Sequence, residues 1–294
     1  MINFHDQDGQ IWFDGALVPW RDVKFHVLTH ALHYASCVFE GERVYGGEVF
    51  KLREHSQRLI DSAAMLGFTI PYSLAEIEAA TRASVAAQGF RDAYVRPVAW
   101  RGSEQMGVSA QQTKIHLAIA VWEWPSYFSP EAKTKGIRLS LSKWRRPAPE
   151  TAPVKAKASG LYMICTLSKH EAERGGYDDA LMLDWRGLVA ETTGANVFMV
   201  KDGDIHTPTP DCFLDGITRR SVIGLARNRG YTVIERAIAL DELRRADEVF
   251  VTGTAAEVTP IGEIDGSNYR VGPLTRNLMQ DFEALVRRKS AVTA

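Results

Sequence analysis

Tight-turn signals between short apolar runs constrain the fold of this chain more than any other feature. Asp14-Gly15 interrupts the run IWFDGALVPW, Gly46-Gly47 interrupts RVYGGEVFKL, and Asp202-Gly203 interrupts NVFMVKDGDIHTP. Such dipeptides favour short turns between antiparallel strands. Because parallel strands need long crossover connections, these hairpins argue against a doubly wound parallel sheet. The pattern therefore predicts an α+β protein.

Helices are predicted between groups of strands. Leu59 and Ala63 lie on one helical face before Gly67, and Ser73 is a suitable N-cap for a helix that ends at Gly89. Strands return at AYVRPVAW and KIHLAIAVWEW, where β-branched and aromatic residues are concentrated. In the second half the pattern predicts helices at about residues 162–174, 218–228 and 274–288.

The length of 294 residues favours two domains. The stretch PSYFSPEAKTKG contains two prolines and has no periodicity, which is typical of a linker. We therefore expect a small N-terminal α/β domain at residues 1–128, an interdomain linker at 129–136, and a larger C-terminal domain at 137–294.

Composition excludes several classes of protein. The 35 basic and 36 acidic side chains leave a formal charge of −1, so the basic surface typical of nucleic-acid binding is absent. Cys37, Cys165 and Cys212 are odd in number and form no C-x-x-C pair, which fits a reducing compartment. The N-terminus does not resemble a signal peptide, and no apolar stretch reaches the length of a membrane span. We expect a soluble cytoplasmic protein that binds neither nucleic acid nor membrane.

Common catalytic and metal motifs are missing from the sequence. There is no G-x-G-x-x-G after a strand, no phosphate loop, no G-x-S-x-G and no H-E-x-x-H. His26, His30 and His33 have helical spacing, but their segment lacks an upstream cap and fits a loop or strand equally well. No metal site is predicted, because ligand number and geometry are not supported.

The run TAPVKAKASGLY places two lysines, Lys155 and Lys157, among small residues and before Tyr162. Burying a lysine lowers its pKa and makes the free amine nucleophilic, as Schiff-base chemistry requires. The alternative is that both are exposed loop lysines, which is the common situation for this residue type. Either lysine is a candidate for a covalent amine carrier.

Three further runs fit a bound pyridine and phosphate. Glu191, in VAETTGANVF, either hydrogen-bonds the adjoining turn or faces a protonated ring nitrogen such as that of pyridoxal phosphate. The run LDGITR leads into a predicted helix, whose N-terminal N–H groups favour anions, and TGTAAE follows a strand in the same way. Together with the lysines, these runs favour a bound phosphate ester.

The order and spacing of these runs resemble the signature blocks of a known family. VKAKASGLY, VAETTGANVF, LDGITRRSVIGLA and ADEVFVTGTAAEVTPI are similar to blocks of the class IV pyridoxal-phosphate aminotransferases, and the N-terminal blocks resemble the branched-chain amino acid aminotransferases. The resemblance covers nearly the whole chain. It implies a D-amino acid aminotransferase-like fold with a C-terminal pseudo-barrel, pyridoxal 5'-phosphate as cofactor, and a homo-oligomer of at least two subunits.

The resemblance also implies a role for each cofactor-binding residue. Lys157 would form the Schiff base, with Lys155 only a neighbour, Tyr162 would lie by the phenolic oxygen, and Arg58, in HSQRLIDSA, would bind the phosphate. The implied cofactor-binding set is Arg58, Arg146, Lys157, Tyr162, Glu191, Thr192, Leu214, Gly216, Ile217, Thr218, Gly253 and Thr254.

On the substrate side, the resemblance implies an apolar wall of Phe39, Val108 and Tyr127, while Arg96 would bind the distal carboxylate of glutamate or 2-oxoglutarate. The loop RGSEQMGV departs from the family, since its residues 101–104 are more polar than the glycine-rich run expected there. The implied substrate-binding set is Tyr34, Phe39, Gly41, Arg43, Tyr94, Arg96, Met106, Gly107, Val108, Tyr127, Thr254, Ala255 and Ala256.

The function implied is amino transfer between L-leucine, L-isoleucine or L-valine and 2-oxoglutarate, with small amino acids and 2-oxo acids as partners. Two kinds of alternative remain open. One is an enzyme of the same fold that acts on D-amino acids or (R)-amines, or an aminodeoxychorismate lyase, and the polar loop fits this reading. The other is a cofactor-binding homologue without catalysis. Tyr34, Phe39 and Arg96 favour the branched-chain reading.

Overall fold

The computed structural model describes residues 3–124 and 131–287 of the chain. The chain divides into two compact units, of which the first is Met1–Pro125 with Ala156–Gly160 and the second is Ser126–Lys155 with Leu161–Ala294. The domain limits and the linker at 129–136 stay a prediction. Within that linker, the structure has a short helix, α4, at Ala132–Lys135.

The segment Ala156–Gly160 joins the first unit although it comes after the predicted linker in the sequence. The Phe39 amide donates to the Lys157 carbonyl over 3.1 Å. The Lys157 amide donates to Ser62 Oγ over 3.0 Å. These bonds satisfy backbone groups of the lysine loop, which gives the loop a physical reason to pack within the first unit.

The first unit contains a sheet of seven strands in the order β2-β1-β7-β6-β4-β5, with β3 paired to β6. All its strand pairs are antiparallel. The strands are β1 (Gln10–Phe13), β2 (Ala16–Pro19), β3 (Cys37–Phe39), β4 (Glu42–Tyr45), β5 (Glu48–Val49), β6 (Ala93–Arg101) and β7 (Ile115–Glu123), and the helices are α1 (His30–Tyr34), α2 (Leu52–Met65) and α3 (Leu74–Gln88).

The predicted hairpins of the first half are confirmed. Asp14-Gly15 joins β1 to β2, with φ of 46° at Asp14 and 103° at Gly15. Gly46-Gly47 joins β4 to β5 with φ of 60° and 94°. Positive φ values cost little for glycine and for aspartate in tight turns, so these residues set the strand register.

The helix predicted between Ser73 and Gly89 is confirmed as α3, and both ends have a local cause. The Ser73 hydroxyl accepts a bond from the Glu76 amide, while the Glu76 carboxylate accepts one from the Ser73 amide, which forms a capping box. At the other end Gly89 adopts φ of 70°, and its amide bonds to the Val85 carbonyl. Local sequence thus sets the length of α3.

The second unit contains a sheet of nine strands. Its strands are β8 (Ile137–Leu141), β9 (Asp179–Leu183), β10 (Val189–Thr192), β11 (Asn196–Lys201), β12 (Asp204–Thr207), β13 (Val233–Glu235), β14 (Glu248–Gly253), β15 (Glu257–Ile264) and β16 (Ser267–Asn268). Besides α4, its helices are α5 (Met163–Arg174), α6 (Ile217–Asn228), α7 (Leu240–Leu243) and α8 (Pro273–Arg287).

Six of these strands close into a ring. β10 pairs with β9 on one side and β11 on the other, and β9 continues through β8, β15 and β14 back to β11. The ring encloses apolar side chains such as Leu139, Leu181 and Val251, which are almost fully buried. The predicted α+β class with a C-terminal pseudo-barrel is confirmed, and the Asp202-Gly203 turn joins β11 to β12 as expected. Among the described residues, no helix combines the length and apolarity needed to cross a bilayer.

We expect Ser73→Ala to lower the free energy of unfolding by about 1 kcal/mol, because it removes the hydroxyl that caps α3. Urea unfolding monitored by circular dichroism would measure the change. Ser73→Asp is the matched control, since aspartate also caps helices, and it is expected to retain most of the stability. An equal loss in both variants would contradict the capping role.

Candidate active site

Lys157 is the better placed of the two candidate lysines. Lys155 is exposed, whereas Lys157 is partly buried and its Nζ lies 5.0 Å from the centre of the Phe39 ring. Loss of solvation lowers the pKa of the Lys157 amine, the Arg58 cation lowers it further, and Glu40 opposes them in part. The amine is therefore more easily obtained in its neutral, nucleophilic form.

Arg58, the predicted phosphate ligand, is held by a buried carboxylate. Its Nε donates to Glu40 Oε1 over 2.6 Å and its Nη2 donates to Glu40 Oε2 over 2.8 Å. His55 Nδ1 lies 2.7 Å from Glu40 Oε2. Since an ionised carboxylate only accepts hydrogen bonds, His55 donates from Nδ1. The guanidinium on α2 is thus fixed by a two-point contact.

Burial by itself would raise the pKa of Glu40, but Arg58 and His55 hold that pKa far below its ordinary value. Burial lowers the pKa of His55, although the neighbouring Glu40 opposes this effect. Glu40 and His55 are absent from the residues predicted from the sequence. The available signal was the presence of charged residues between the apolar residues of CVFEGERVY, since a buried carboxylate needs a partner.

The pKa of Glu42, two residues after Glu40, is shifted in the opposite direction. Glu42 is fully buried, and neither of its carboxyl oxygens has a hydrogen-bond partner among the residues that the structure describes. Burial raises the pKa of Glu42 well above its ordinary value, and the negative charge of Glu40 raises it further. Burial and the neighbouring negative charge thus both favour the neutral, protonated form of Glu42.

Four predicted substrate-binding residues lie together in the first unit. The guanidinium carbon of Arg96 lies 4.7 Å from the centre of the Phe39 ring and 5.4 Å from that of Tyr94. Arg96 Nη2 donates to the Tyr94 hydroxyl over 3.3 Å. A side chain at Gly41 would overlap the same hydroxyl. Because Lys157 also lies over Phe39, the amine, the aromatic ring and a guanidinium share one region.

The other predicted substrate residues of the first unit have different neighbours. Arg43 is buried on β4, with its guanidinium carbon 5.1 Å from the centre of the Tyr45 ring. Tyr34 stacks on His30 with ring centres 4.6 Å apart, and His30 Nε2 bonds the Gly107 carbonyl over 2.8 Å. Next to Gly107, Met106 and Val108 are 44% and 86% exposed. The predicted Tyr127 lies outside the described residues.

The second unit brings Glu191 beside Arg146. Arg146 Nε lies 3.4 Å from Glu191 Oε1, and Arg146 Nη1 lies 3.5 Å from Cys165 Sγ. Burial lowers the pKa of the Arg146 guanidinium, but Glu191, Cys165 and Tyr162 more than compensate, so the net pKa is raised. Arg146 therefore stays charged and keeps a positive group next to the Glu191 carboxylate.

The loop before α6 forms a backbone cradle. Gly216 is the N-cap of this helix and makes no capping hydrogen bond with a side chain. Ile217 and Thr218 come next as the first helical residues, both buried, and Leu214 is half-buried. The N–H groups of a helix N-terminus bind anions such as phosphate. The predicted phosphate-binding run LDGITR thus has a suitable geometry.

The run TGTAAE follows a strand, as predicted, but unlike LDGITR it does not lead into a helix. Gly253 ends β14, Thr254, Ala255 and Ala256 form a turn, and β15 begins at Glu257. The antiparallel pairing of β14 with β15 leaves only a short connection, so the segment has no helix dipole. The turn residues are half-buried and offer backbone N–H groups and the Thr254 hydroxyl.

Thr192 completes the predicted cofactor set and is a structural partner of its own turn. Its hydroxyl donates to the Ala195 carbonyl over 3.2 Å, and the Ala195 amide donates to the Thr192 hydroxyl over 3.1 Å. These bonds fix the turn that carries the chain from Glu191 to β11. The turn-stabilising role that was considered for Glu191 thus belongs to Thr192.

The three predicted histidines do not share one helix face. His26 precedes α1, His33 is exposed, and His30 is buried with its Nδ1 2.5 Å from Ser36 Oγ. Among the described residues, the acidic and cysteine groups that come close enough for a shared ion are Asp184, Asp211 and Cys212. Arg186 already bonds both aspartates, so this cluster is neutralised within the protein.

The available groups fit a pyridoxal phosphate cofactor. They are an amine of lowered pKa, a guanidinium fixed by a buried acid, a carboxylate for a ring nitrogen, and a helix N-terminus for a phosphate. The model of the family "Amino-transferase class IV" matches residues 37–264. The chain belongs to the class IV aminotransferases.

The chain is also similar to individual proteins of this family, and those named here are branched-chain amino acid aminotransferases. A branched-chain-amino-acid aminotransferase of Pseudomonas aeruginosa is 45% identical over 300 residues, covering 100% of this chain and 98% of the relative. The solved branched-chain amino acid aminotransferase of Escherichia coli has a TM-score of 0.93 and 39% identity, covering 98% of this chain and 97% of that chain. A solved T.th. branched-chain amino acid aminotransferase with pyridoxamine 5'-phosphate has a TM-score of 0.93 and 41% identity, covering 96% and 95% of the two chains.

We expect Glu42→Gln to stabilise the protein at neutral and alkaline pH. Above the ordinary carboxyl pKa of 4.5, the unfolded chain releases the Glu42 proton while the folded protein keeps it, so rising pH favours unfolding. The neutral amide removes this effect, so the variant should be more stable than the unchanged protein at pH 8.

Urea unfolding of both proteins between pH 4 and pH 8 would test this. The difference should shrink toward pH 4, where Glu42 is protonated in both states. Glu48→Gln, at an exposed position on β5, is the control and should leave the pH profile as it is. A stability difference that does not change with pH would show that Glu42 is ionised in the folded protein.

Proposed function

We propose that this protein transfers amino groups between L-branched-chain amino acids and 2-oxoglutarate with pyridoxal 5'-phosphate as cofactor. The observation that carries the proposal is the amine of Lys157, which has a lowered pKa and lies beside Phe39 and Arg96 in a chain 45% identical to a branched-chain-amino-acid aminotransferase. The order of the matching blocks supports the same reading.

Each cofactor-binding residue has a separate task in this proposal. The phosphate would be bound by Arg58, Ile217, Thr218 and Thr254. Glu191 would hold a proton on the ring nitrogen, with Arg146 beside it. Tyr162 bonds the phenolic oxygen, while Thr192, Leu214, Gly216 and Gly253 shape the backbone around the ring and the phosphate. When bound, the cofactor withdraws electrons from the carbon that carries the amino group.

Lys157 has two tasks that its lowered pKa makes possible. As a neutral amine it would hold the cofactor covalently through its aldehyde carbon, with loss of one water molecule, which an ammonium group could not do. When free of that bond, Lys157 Nζ would take a proton from the substrate Cα as a general base and would deliver it to the cofactor carbon C4' as a general acid. The Phe39 ring and the Ser62 hydroxyl keep the lysine segment in place.

Substrate recognition is proposed to use the group around Arg96. Phe39 and Tyr94 provide aromatic surface for an apolar side chain, and Arg96 pairs with the distal carboxylate of glutamate or 2-oxoglutarate. The remaining residues of the proposed substrate pocket are Tyr34, Gly41, Arg43, Met106, Gly107, Val108, Tyr127, Ala255 and Ala256. Because Arg96 already rests on both aromatic rings, one guanidinium can serve a dicarboxylate and be shielded from an apolar substrate.

A homodimer and a cytoplasmic location remain predictions. Exposed apolar side chains support association with a second copy: Phe25, Val27, Leu28 and Leu32 are 59%, 70%, 46% and 57% exposed within a segment of a few residues. Large exposed apolar groups of this kind are typical of surfaces that bind a protein partner. Sedimentation of the purified protein would measure its oligomeric state.

We expect Lys157→Ala to lose at least about a hundredfold in turnover, because it removes both the covalent amine and the proton carrier. Cofactor should still bind, but borohydride treatment should no longer attach it to the chain, as measured by mass spectrometry. Lys155→Ala is the matched control and should behave as the unchanged protein does. Normal turnover in Lys157→Ala would refute the assignment.

The substrate class is tested through the visible spectrum of the cofactor-loaded protein. We expect L-leucine and L-glutamate to convert the absorbance band, and D-alanine and (R)-1-phenylethylamine to leave it unchanged. Conversion by D-alanine or the amine alone would identify one of the related enzymes of the same fold. A spectrum that responds to none of them would point to cofactor binding without this reaction.

A further inference from the structure

Asn196 is a buried amide at the centre of the second unit's candidate site. It is the first residue of β11, where it faces Glu191 of β10 on one side and Thr252 of β14 on the other. Its exposed fraction is 5%. A buried amide needs hydrogen-bond partners, because leaving its donors unpaired costs free energy.

The Asn196 side chain meets both ends of the proposed cofactor site. Its Nδ2 donates to the Leu214 carbonyl over 3.0 Å, which ties β11 to the loop before α6. The same nitrogen lies 3.4 Å from Glu191 Oε2, a longer and weaker contact to the carboxylate. One amide group therefore bridges the carboxylate and the phosphate-binding loop.

The oxygen of the same amide restricts the loop before α6 sterically. A Cβ built on Gly216 would overlap Asn196 Oδ1, so the N-cap of α6 approaches the amide closely. Gly216 has φ of −64°, which any residue adopts, so glycine is required there by this contact and not by its backbone conformation. The amide thus sets the position of the residue that precedes the helix N–H groups.

We propose that Asn196 is a positioning residue that couples the Glu191 carboxylate to the phosphate cradle at Leu214–Gly216. The inference rests on the proposed function, since Glu191 and the cradle matter together only if they hold one cofactor. Arg146 contacts Oε1 of Glu191 and Asn196 contacts Oε2, so the two side chains together limit rotation of the carboxylate.

The variants Asn196→Ala, Asn196→Asp and Asn196→Ser separate the possible roles. Alanine leaves the Leu214 carbonyl and one Glu191 oxygen without this donor. Aspartate keeps the shape but replaces the donor by a second negative charge beside Glu191, which like-charge repulsion disfavours. Serine keeps a donor on a shorter side chain and provides a variant that should fold if alanine does not.

Thr252→Val is the matched control. Thr252 is the neighbour of Asn196 across the β11–β14 pair and is equally buried. Its hydroxyl has no hydrogen-bond partner among the residues described, so the isosteric valine removes a buried polar group inside β14 and leaves Leu214, Gly216 and the turn from Thr254 unchanged. A general weakening of the barrel would affect both positions alike.

The experiment measures affinity of the apoenzyme for pyridoxal 5'-phosphate and for inorganic phosphate, and the pH titration of the visible band in the loaded protein. Asn196→Ala should weaken both affinities by about tenfold or more, the expected effect of leaving buried groups unpaired. The titration midpoint should also shift, because Glu191 acts at the ring nitrogen. Thr252→Val should match the unchanged protein in all three measurements.

A second comparison uses the contact with Gly216. Gly216→Ala should weaken cofactor binding through its overlap with the amide oxygen. In the double variant with Asn196→Ala that overlap is gone, so binding should be no weaker than in Asn196→Ala alone. Additive losses would show that the loop and the amide act independently.

Two results would overturn the coupling. One is an unchanged phosphate affinity and titration midpoint in Asn196→Ala, even if the variant is less stable. The other is an equal loss in Thr252→Val. Failure of the proposed function looks different, because the unchanged protein would then bind no pyridoxal phosphate or show no spectral response to L-leucine.

Discussion

The buried carboxylate of Glu40 is the interaction on which the first unit's site depends. It is the shared acceptor for Arg58 and His55, which lie on α2 and approach it from a different element of the fold. An ionised carboxylate without these donors would be costly to bury, and Arg58 without the carboxylate would lose its two-point contact. Glu40 therefore accepts the hydrogen bonds of its buried neighbours and also fixes the orientation of the Arg58 guanidinium. The pKa shifts of Lys157 and Glu42 depend in part on the same charges.

The second unit holds a carboxylate and a helix N-terminus in fixed positions. The closed ring of six strands gives β10 and β11 partners on both edges, so Glu191 and Asn196 start from a rigid backbone. Arg146 and Asn196 then contact different oxygens of Glu191. The loop before α6 is tied to the same frame through the Leu214 carbonyl. Rigid strands place functional groups more accurately than mobile loops do.

Local signals in the sequence predicted much of this architecture. Asp14-Gly15, Gly46-Gly47 and Asp202-Gly203 specify hairpins because few residues tolerate their backbone conformations, and the structure has a turn at each. The capping box at Ser73 is equally local. The runs TGTAAE and LDGITR both contain turn-like sequence, but only LDGITR leads into a helix. The element after such a turn depends on which strand is available for pairing, and that is not a local property.

The sequence by itself determined the hairpins, the helix ends, the lysine among small residues and the family to which the chain belongs, because these depend on short-range chemistry and on the order of matching blocks. Only the tertiary structure decided which buried charges are paired. Glu40 and Glu42 are two residues apart in the sequence, yet Arg58 and His55 lower the pKa of Glu40, whereas burial and the charge of Glu40 raise the pKa of Glu42. Likewise, Asn196 gains its position between Glu191 and Gly216 from strand pairing. Protonation and hydrogen bonding inside a protein depend on neighbours that the chain brings from far away in sequence.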